Sequence, residues 1–157
     1  MSANTETKPA AISLAADSAQ ALKVNVEDAV PNRRRGGDIR VTLSPKTVAC
    51  TSGFGGVLRL GAGEFVTEHY HPYSEEFIHV VTGEVEMTLD GQPVRLGPGD
   101  SLIVPIGVRH RLLNVGSTKV SAVFHLSPLA PRPELGHVDT ETALDEAAAN
   151  PDVGSVR

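Results

Sequence analysis

Three of the six histidines in the 157-residue chain lie within residues 69–79, in the run HYHPYSEEFIH. Alternation along a strand places His69 and His71 on one face and Tyr70 on the other. Two imidazoles held in this way can share a transition-metal ion, and Glu76, beyond a turn, can face the same interior. The histidine pair alone is equally consistent with polar residues on an exposed sheet.

A second stretch, GDSLIVPIGVRHRLLN at residues 99–114, adds another candidate ligand. The sequence Pro105-Ile106-Gly107 predicts a tight reversal, after which His110 lies on the returning strand. Imidazole and carboxylate groups that converge from separate strands suit zinc, iron, nickel or copper, and one carboxylate offsets part of the charge of the ion. Together the two stretches predict a divalent transition-metal site.

The spacing of these residues resembles the two motifs of the cupin superfamily. The first motif is a glycine, five residues, HxH, three or four residues, a glutamate, six residues and a glycine. The second is a glycine, five residues, PxG, two residues, a histidine, three residues and an asparagine. The matching positions are Gly63, His69, His71, Glu76 and Gly83, then Gly99, Pro105, Gly107, His110 and Asn114. The resemblance implies an all-β, single-domain cupin fold, a jelly-roll barrel or double-stranded β-helix. It also implies the metal ligands His69, His71, Glu76 and His110.

The flanking sequence resembles a narrower group within that superfamily. The runs RRRGGDIRVTLSPKTV, TEHYHPYSEEFIHVVTGEV, VPIGVRHRLLN and AVFHLSPLAPRPELGHVDTE look like small single-cupin cyclases of bacterial aromatic (type II) polyketide pathways. These are the cyclases of the tetracenomycin, resistomycin and spore-pigment types. The resemblance covers about residues 31–141. It implies an enzyme of antibiotic or pigment biosynthesis that closes a ring in a poly-β-ketone by aldol condensation and dehydration. In such pathways the chain is delivered on an acyl carrier protein.

The metal and the reaction class are open to alternatives. Because an aldol closure requires no redox step, zinc is the expected ion, although the same ligands accept Fe²⁺, Mn²⁺ or Ni²⁺. One alternative is an Fe(II)-dependent dioxygenase or monooxygenase on the same scaffold. Another is a cupin that binds a ligand without catalysis, since a fold does not determine a function.

Five further residues are candidates for a catalytic, binding or structural role in addition to the four expected metal ligands. His125, in the run AVFHL, can point into the barrel, as a general base or an additional ligand, or it has a structural role. Tyr73, in the loop at the barrel mouth, is a candidate for substrate contact or a surface residue. We expect His79 on the outer face of its strand, His137 in a tail without a role, and Cys50 to be inert.

Short alternating runs punctuated by glycine predict the strands that must position these residues. The expected strands lie at about 39–43, 55–60, 65–71, 76–82, 84–90, 92–96, 101–105, 108–113 and 119–126. Asp90-Gly91 predicts a two-residue hairpin, because its type I′ turn needs positive φ. Strands at this spacing indicate a sandwich or barrel. The residues expected to line its apolar interior are Phe65, Ile78, Val80, Val85, Met87, Leu112 and Val123.

The expected organisation is an arm over residues 1–25 that is flexible or docked on a partner, a cupin domain over 26–136, and an extended or disordered tail over 137–157. The first residues are polar and unlike a signal peptide, and no apolar stretch approaches the roughly 20 residues that cross a bilayer. With its single cysteine, the chain is expected in the cytoplasm.

The formal net charge of −5 argues against a nucleic-acid or anionic-membrane partner. The basic run Arg33–Arg35 is either a docking site for an acidic carrier protein or a solvated edge of the barrel. A homodimer is expected, with Phe77 and Phe124 on the outer faces that meet.

Overall fold

The computed structural model describes residues 9–155 and confirms the all-β fold. All nine predicted strands are present, with bounds within two residues of those expected, and a tenth follows them. The strands are β1 (Asp38–Leu43), β2 (Phe54–Leu60), β3 (Phe65–Tyr70), β4 (Glu75–Thr82), β5 (Val85–Leu89), β6 (Gln92–Leu96), β7 (Ser101–Val104), β8 (His110–Asn114), β9 (Val120–Ser127) and β10 (Val138–Asp139). The helices are α1 (Ala16–Gln20) and α2 (Pro45–Val48), with single 3₁₀ turns at Val26–Asp28 and Pro133–Leu135.

The strands form two five-stranded antiparallel sheets, in the orders β1-β2-β9-β4-β7 and β10-β3-β8-β5-β6. The predicted hairpin between β5 and β6 is confirmed, since Asp90 and Gly91 have φ values of 48° and 81°. In β3 the pairing with β8 shifts register between Val66 and His69. A register shift of this kind re-aims the side chains that follow it, and here it lies directly before the two histidines.

The apolar core lies between the sheets and contains most of the residues expected there. Side chains with no more than 3% exposure include Ile78, Val80, Val85, Met87 and Leu112. Phe65 is half-buried, and its ring packs under the guanidinium of Arg111 at 4.3 Å. Burial of these side chains on facing strands is the main stabilising term of the fold.

The predicted faces of β9 were wrong. Phe124, expected outside, is 9% exposed in the core, whereas Val123, expected inside, is 40% exposed. The reason is the register with β4, which places Phe124 opposite Ile78 and Leu126 opposite Glu76, so the even-numbered residues of β9 face inward.

Residues 137–155, here named the C-terminal strap, pack back onto the barrel. Strand β10 pairs with β3, and Ala143 and Val153 are 7% and 5% exposed. This differs from the extended or disordered tail that the sequence predicts.

At the N-terminal end, no residue of α1 is buried. The expected arm lies partly outside the described residues, and within them no helix is long and apolar enough to span a membrane.

Candidate metal centre

The four predicted ligands come together in the structure. One donor atom each from His69, His71, Glu76 and His110 lies within 4.8 Å of all the others, and all four residues are buried. Such a group of buried, chemically matched donors is the main requirement of a metal site.

Both sheets supply the centre. His69 lies in β3 directly opposite His110 at the start of β8, and His71 follows β3. Glu76 lies in β4 of the other sheet. The turn before β8 is tied to this site because the Gly107 amide donates to the carbonyl oxygen of His71 at 2.9 Å. The glycine is required there, since its φ is +79°.

Backbone carbonyl oxygens hold each imidazole ring. The ring Nδ1 atoms bond to them as follows: His69 to Thr67 at 2.8 Å, His71 to Gly136 at 3.0 Å, and His110 to Val108 at 3.0 Å. A carbonyl oxygen only accepts, so each Nδ1 carries the proton and each Nε2 of a neutral ring presents a lone pair. This is the arrangement that orients histidine ligands toward a metal ion.

The Nε2 atoms of two of these rings face the Glu76 carboxylate, at 3.2 Å for His71 and 2.9 Å for His110. The His110 contact is close but lacks hydrogen-bond geometry, and its buried Nε2 has no partner among residues 9–155. Lone pairs of neutral rings and a carboxylate repel one another unless a proton or a cation lies between them. The donor set therefore fits a divalent transition-metal ion.

Burial and the neighbouring groups shift the pKa values of three of the four residues of the centre. Burial alone would raise the pKa of Glu76, but the close rings of His110 and His71 outweigh it and lower the pKa well below its ordinary value. Burial opposes protonation of His110, yet Glu76 raises its pKa. Burial, followed by the nearby His110 and His71, lowers the pKa of His69 well below its ordinary value. The carboxylate is thus held ionised beside three imidazoles.

The centre opens into a small cavity of about 60 Å³. Its walls are mainly apolar, with Phe54, Leu58, Val66, Ile78, Leu112 and Leu126 among them. Among residues 9–155, three polar residues line it besides the four donors, namely Asn32, Arg35 and His137. At roughly 10–15 Å³ for each water, this volume holds only a few waters or a short piece of ligand.

His137 is the histidine that sequence reasoning missed. Its ring centroid lies 4.6 Å from that of His71 and 5.9 Å from that of His69. The buried Nδ1 atom has no hydrogen-bond partner among the described residues. Burial, followed by His71, lowers the pKa of His137 well below its ordinary value. His137 does not lie in a run of alternating polar and apolar residues, so the sequence pattern gave no sign of its position. The packing of the strap brings it to the cavity.

Two candidates for the cavity lie elsewhere. His125 is exposed on the outer face of β9, since the register that turns Phe124 inward turns its neighbour outward. Of the two alternatives stated for His125, the one that points it into the barrel was therefore wrong. Tyr73 is 41% exposed in its loop and does not line the cavity. As expected, His79 lies on the outer side of β4, where its Nδ1 is 2.8 Å from the hydroxyl of Ser101.

The basic run Arg33–Arg35 is not a single exposed patch. The side chain of Arg33 is 59% exposed, but those of Arg34 and Arg35 are 18% and 5% exposed and both contact Asp139 of the strap. Two of the three cations therefore hold the strap and are not available to dock an acidic carrier protein.

The chain belongs to the cupin superfamily. The Cupin domain family matches residues 56–126, which include all four donors of the centre. The fold alone is also shared with a solved double-stranded β-helix domain protein from Klebsiella pneumoniae. That match has a TM-score of 0.60 and 22% identity and covers 74% of this chain and 95% of the other.

Relatives of known name place the chain more narrowly. It is 52% identical to polyketide synthase CurC of Streptomyces cyaneus over 130 residues, which cover 82% of this chain and 84% of CurC. It is 46% identical to the tetracenomycin polyketide synthase protein TcmJ of Streptomyces glaucescens over 136 residues. That match covers 87% of this chain and 91% of TcmJ.

Proposed function

We propose that the protein is an aromatic polyketide cyclase of a type II polyketide synthase pathway, which closes a ring in a poly-β-ketone by aldol condensation and dehydration. The observation that carries the proposal is a buried three-histidine, one-glutamate centre at an apolar cavity, in a chain 46–52% identical to proteins named for polyketide synthases. Apolar walls suit a poorly hydrated chain and keep water from reactive ketones.

The residues His69, His71, Glu76 and His110 are proposed to hold a divalent ion, with zinc first because the reaction requires no redox step. When bound, such an ion supplies Lewis-acid polarisation of a carbonyl oxygen. Three of these side chains are held in position to bind such an ion, since backbone carbonyl oxygens fix the histidine rings.

The ring closure needs a base and a returning proton. A base removes a proton from a carbon between two carbonyl groups, and the resulting enolate carbon bonds to a second carbonyl carbon. The oxygen of that carbonyl receives a proton and becomes a hydroxyl. The hydroxyl then leaves as water with loss of a neighbouring proton, and a carbon–carbon double bond forms. We assign the proton transfers to His137, because it lines the cavity and its Nδ1 is unpartnered within residues 9–155.

The substrate is proposed to arrive on an acyl carrier protein, and the enzyme to work in the cytoplasm as a homodimer. A cavity of about 60 Å³ does not hold a whole polyketide chain. The strap covers the cavity with His137 and Pro151, so we propose that it moves when a longer chain binds.

One experiment tests this function against its alternatives. Protein purified without chelators is analysed for metals and supplied with a carrier-bound poly-β-ketone, with and without oxygen. Stoichiometric zinc and an aromatic product formed equally well without oxygen support the cyclase. Iron with oxygen uptake would point instead to a dioxygenase or monooxygenase. If His69→Ala and His110→Ala change ligand affinity but never the products, the protein is a ligand-binding cupin.

A further inference from the structure

Arg35 is a buried cation in the wall of the cavity. Its residue exposure is 4%, and it lines the cavity that contains His69 and His110. Its positive charge acts to lower the pKa values of His110 and His137, which line the same cavity. A buried charge destabilises the folded protein unless hydrogen bonds or a ligand compensate for its lost hydration.

The backbone around Arg35 is locked to the strand that carries the metal-site histidines. The carbonyl oxygen of Arg35 accepts from the Thr67 amide at 2.9 Å, and the Thr67 carbonyl oxygen in turn accepts from His69 Nδ1. Gly36 permits this approach. It has φ +104°, and a Cβ atom there would overlap the carbonyl oxygen of Phe65. Arg35 and His69 are therefore held in a fixed relation through two consecutive hydrogen bonds.

Protein acceptors use only part of the guanidinium. Its Nε donates to Asp139 at 2.7 Å and its Nη2 to Asn150 at 2.6 Å. Nη1 donates to no acceptor in the hydrogen-bond network of residues 9–155 and is not among their fully buried unpartnered atoms. An arginine carries five N–H donors, so three remain, one on Nη2 and both on Nη1, and the two on Nη1 are available to a ligand. Asp139 and Asn150 thus fix the orientation of the group and leave one corner of it unused.

Arg34 shows that holding the strap does not by itself require a place in the cavity. It also contacts Asp139, at 2.9 Å, and it donates to the carbonyl oxygens of Glu146 and Ala148. It does not line the cavity. The two neighbouring arginines therefore share one structural task, and Arg35 alone presents a cation to the cavity.

We propose that Arg35 binds an oxygen of the β-ketone unit through Nη1 and stabilises the negative charge of its enolate, a substrate-binding role that rests on the proposed function. Adjacent carbonyl oxygens in a 1,3-diketone make its enolate a delocalised anion, which a guanidinium donor in a low-dielectric cavity binds strongly. A ketone with a single carbonyl stays neutral and gains much less from the cation. Arg35 thereby favours substrates with β-diketone units.

The test uses two five-carbon probes, pentane-2,4-dione and pentan-2-one, titrated into the wild-type protein and two variants. We expect Arg35→Gln to weaken binding of the dione by about tenfold or more, the loss typical of a hydrogen bond to a charged group. Binding of the monoketone should change less than about threefold. Arg34→Gln, which weakens the same strap, should leave the affinity for both probes within about threefold of wild type.

Equal losses in Arg35→Gln and Arg34→Gln, or an unchanged dione affinity in Arg35→Gln, would overturn the inference. Because Arg35→Gln can also impair folding, the guanidinium ¹⁵N resonance of Arg35 is followed in the wild-type protein. The chemical shift of this resonance should change with the dione and not with the monoketone. An unchanged chemical shift with both probes would contradict the substrate-binding role of Arg35. Wild-type protein that binds the dione through Arg35 but never cyclises a poly-β-ketone would overturn the proposed function and leave this inference standing.

Discussion

His110 Nε2 lies 2.9 Å from a carboxylate oxygen of Glu76, although His110 belongs to β8 in one sheet and Glu76 to β4 in the other. The candidate metal centre therefore bridges the two sheets of the barrel. An ion bound there would link the sheets and stabilise the folded state, because the unfolded chain does not present the same site.

Replacing one ligand should remove the ion. We expect His110→Ala to weaken metal binding by more than the 10- to 100-fold that loss of an outer-shell partner typically costs. In the wild-type protein, an ion at about 100 times its Kd should add about 2.7 kcal/mol to the free energy of unfolding, and excess chelator should abolish this gain. Metal content, competition with a chromophoric chelator and denaturant unfolding measure these effects.

The matched control is His79→Ala, which removes a histidine from the outer side of β4. It should keep stoichiometric metal and the gain in stability. A His110→Ala protein that still carries a full equivalent of metal would show that the four-residue centre is misassigned.

Acid should destabilise the chelator-treated protein partly through His137. Burial lowers the pKa of His137 in the folded state, so below the ordinary histidine value of about 6.5 the unfolded chain binds the proton first. Its contribution to stability is complete above that pH and falls by about 1.4 kcal/mol for each pH unit below it. His69 acts with the same sign, whereas His110, whose pKa is raised, acts with the opposite sign.

His137→Gln should therefore reduce the slope of unfolding free energy against pH between pH about 5 and about 6. The expected reduction corresponds to about one bound proton, or about 1.4 kcal/mol per pH unit. The control is the same comparison between pH about 7.5 and about 8.5, where the contribution of His137 is complete and the slopes of His137→Gln and the wild type should agree. Denaturant unfolding at a series of pH values in excess chelator provides the slopes. Identical slopes for His137→Gln and the wild type would mean that His137 is not held neutral in the folded protein.

The candidate ligands were predictable because their positions follow from local rules. Strand alternation puts His69 and His71 on one face, and the tight turn at Pro105–Gly107 returns His110 to the same end of the barrel. The spacing of the motifs then selects Glu76 over its exposed neighbour Glu75, as the structure also does. Short-range pattern was sufficient here.

Residues that depend on long-range packing were not predictable in this way. The run AVFHL in β9 has apolar side chains at both odd- and even-numbered positions, so alternation alone does not show which face is buried. The pairing with β4 determines it. His137 comes to the cavity because Arg34 and Arg35 bind Asp139, more than a hundred residues away. No local periodicity records such a contact.

The strap should depend on Asp139. Asp139→Asn leaves Arg35, 4% exposed, without its anion, and we expect a loss of about 2–4 kcal/mol in the free energy of unfolding. Asp152→Asn is the control, because it breaks the Lys46 pair of the same strap, in which both side chains are more than half exposed. Its cost should stay below about 1 kcal/mol.

Limited proteolysis complements the denaturant measurements, since a loosened strap should be cut within residues 140–155 before the barrel is. Equal costs for Asp139→Asn and Asp152→Asn would mean that the buried ion pairs do not anchor the strap.

The proposed homodimer has a defined surface. On the outer face of the first sheet, Phe77 lies opposite Ile103 in the pairing of β4 with β7, and each is 47% exposed. Val123, on the adjacent strand β9, is 40% exposed. Contiguous apolar side chains on a sheet are typical of an interface. Phe124, buried in the core, cannot take part in it.

Phe77→Glu should therefore convert the dimer to a monomer in sedimentation velocity at micromolar concentration, because two like charges would be buried against each other. Leu144→Glu places the same charge at an apolar residue that is 58% exposed on the strap, and it should stay dimeric. Far-ultraviolet circular dichroism establishes that both variants fold. A wild-type protein that sediments as a monomer, or a Phe77→Glu protein that remains a dimer, would show that this face of the sheet is not the interface.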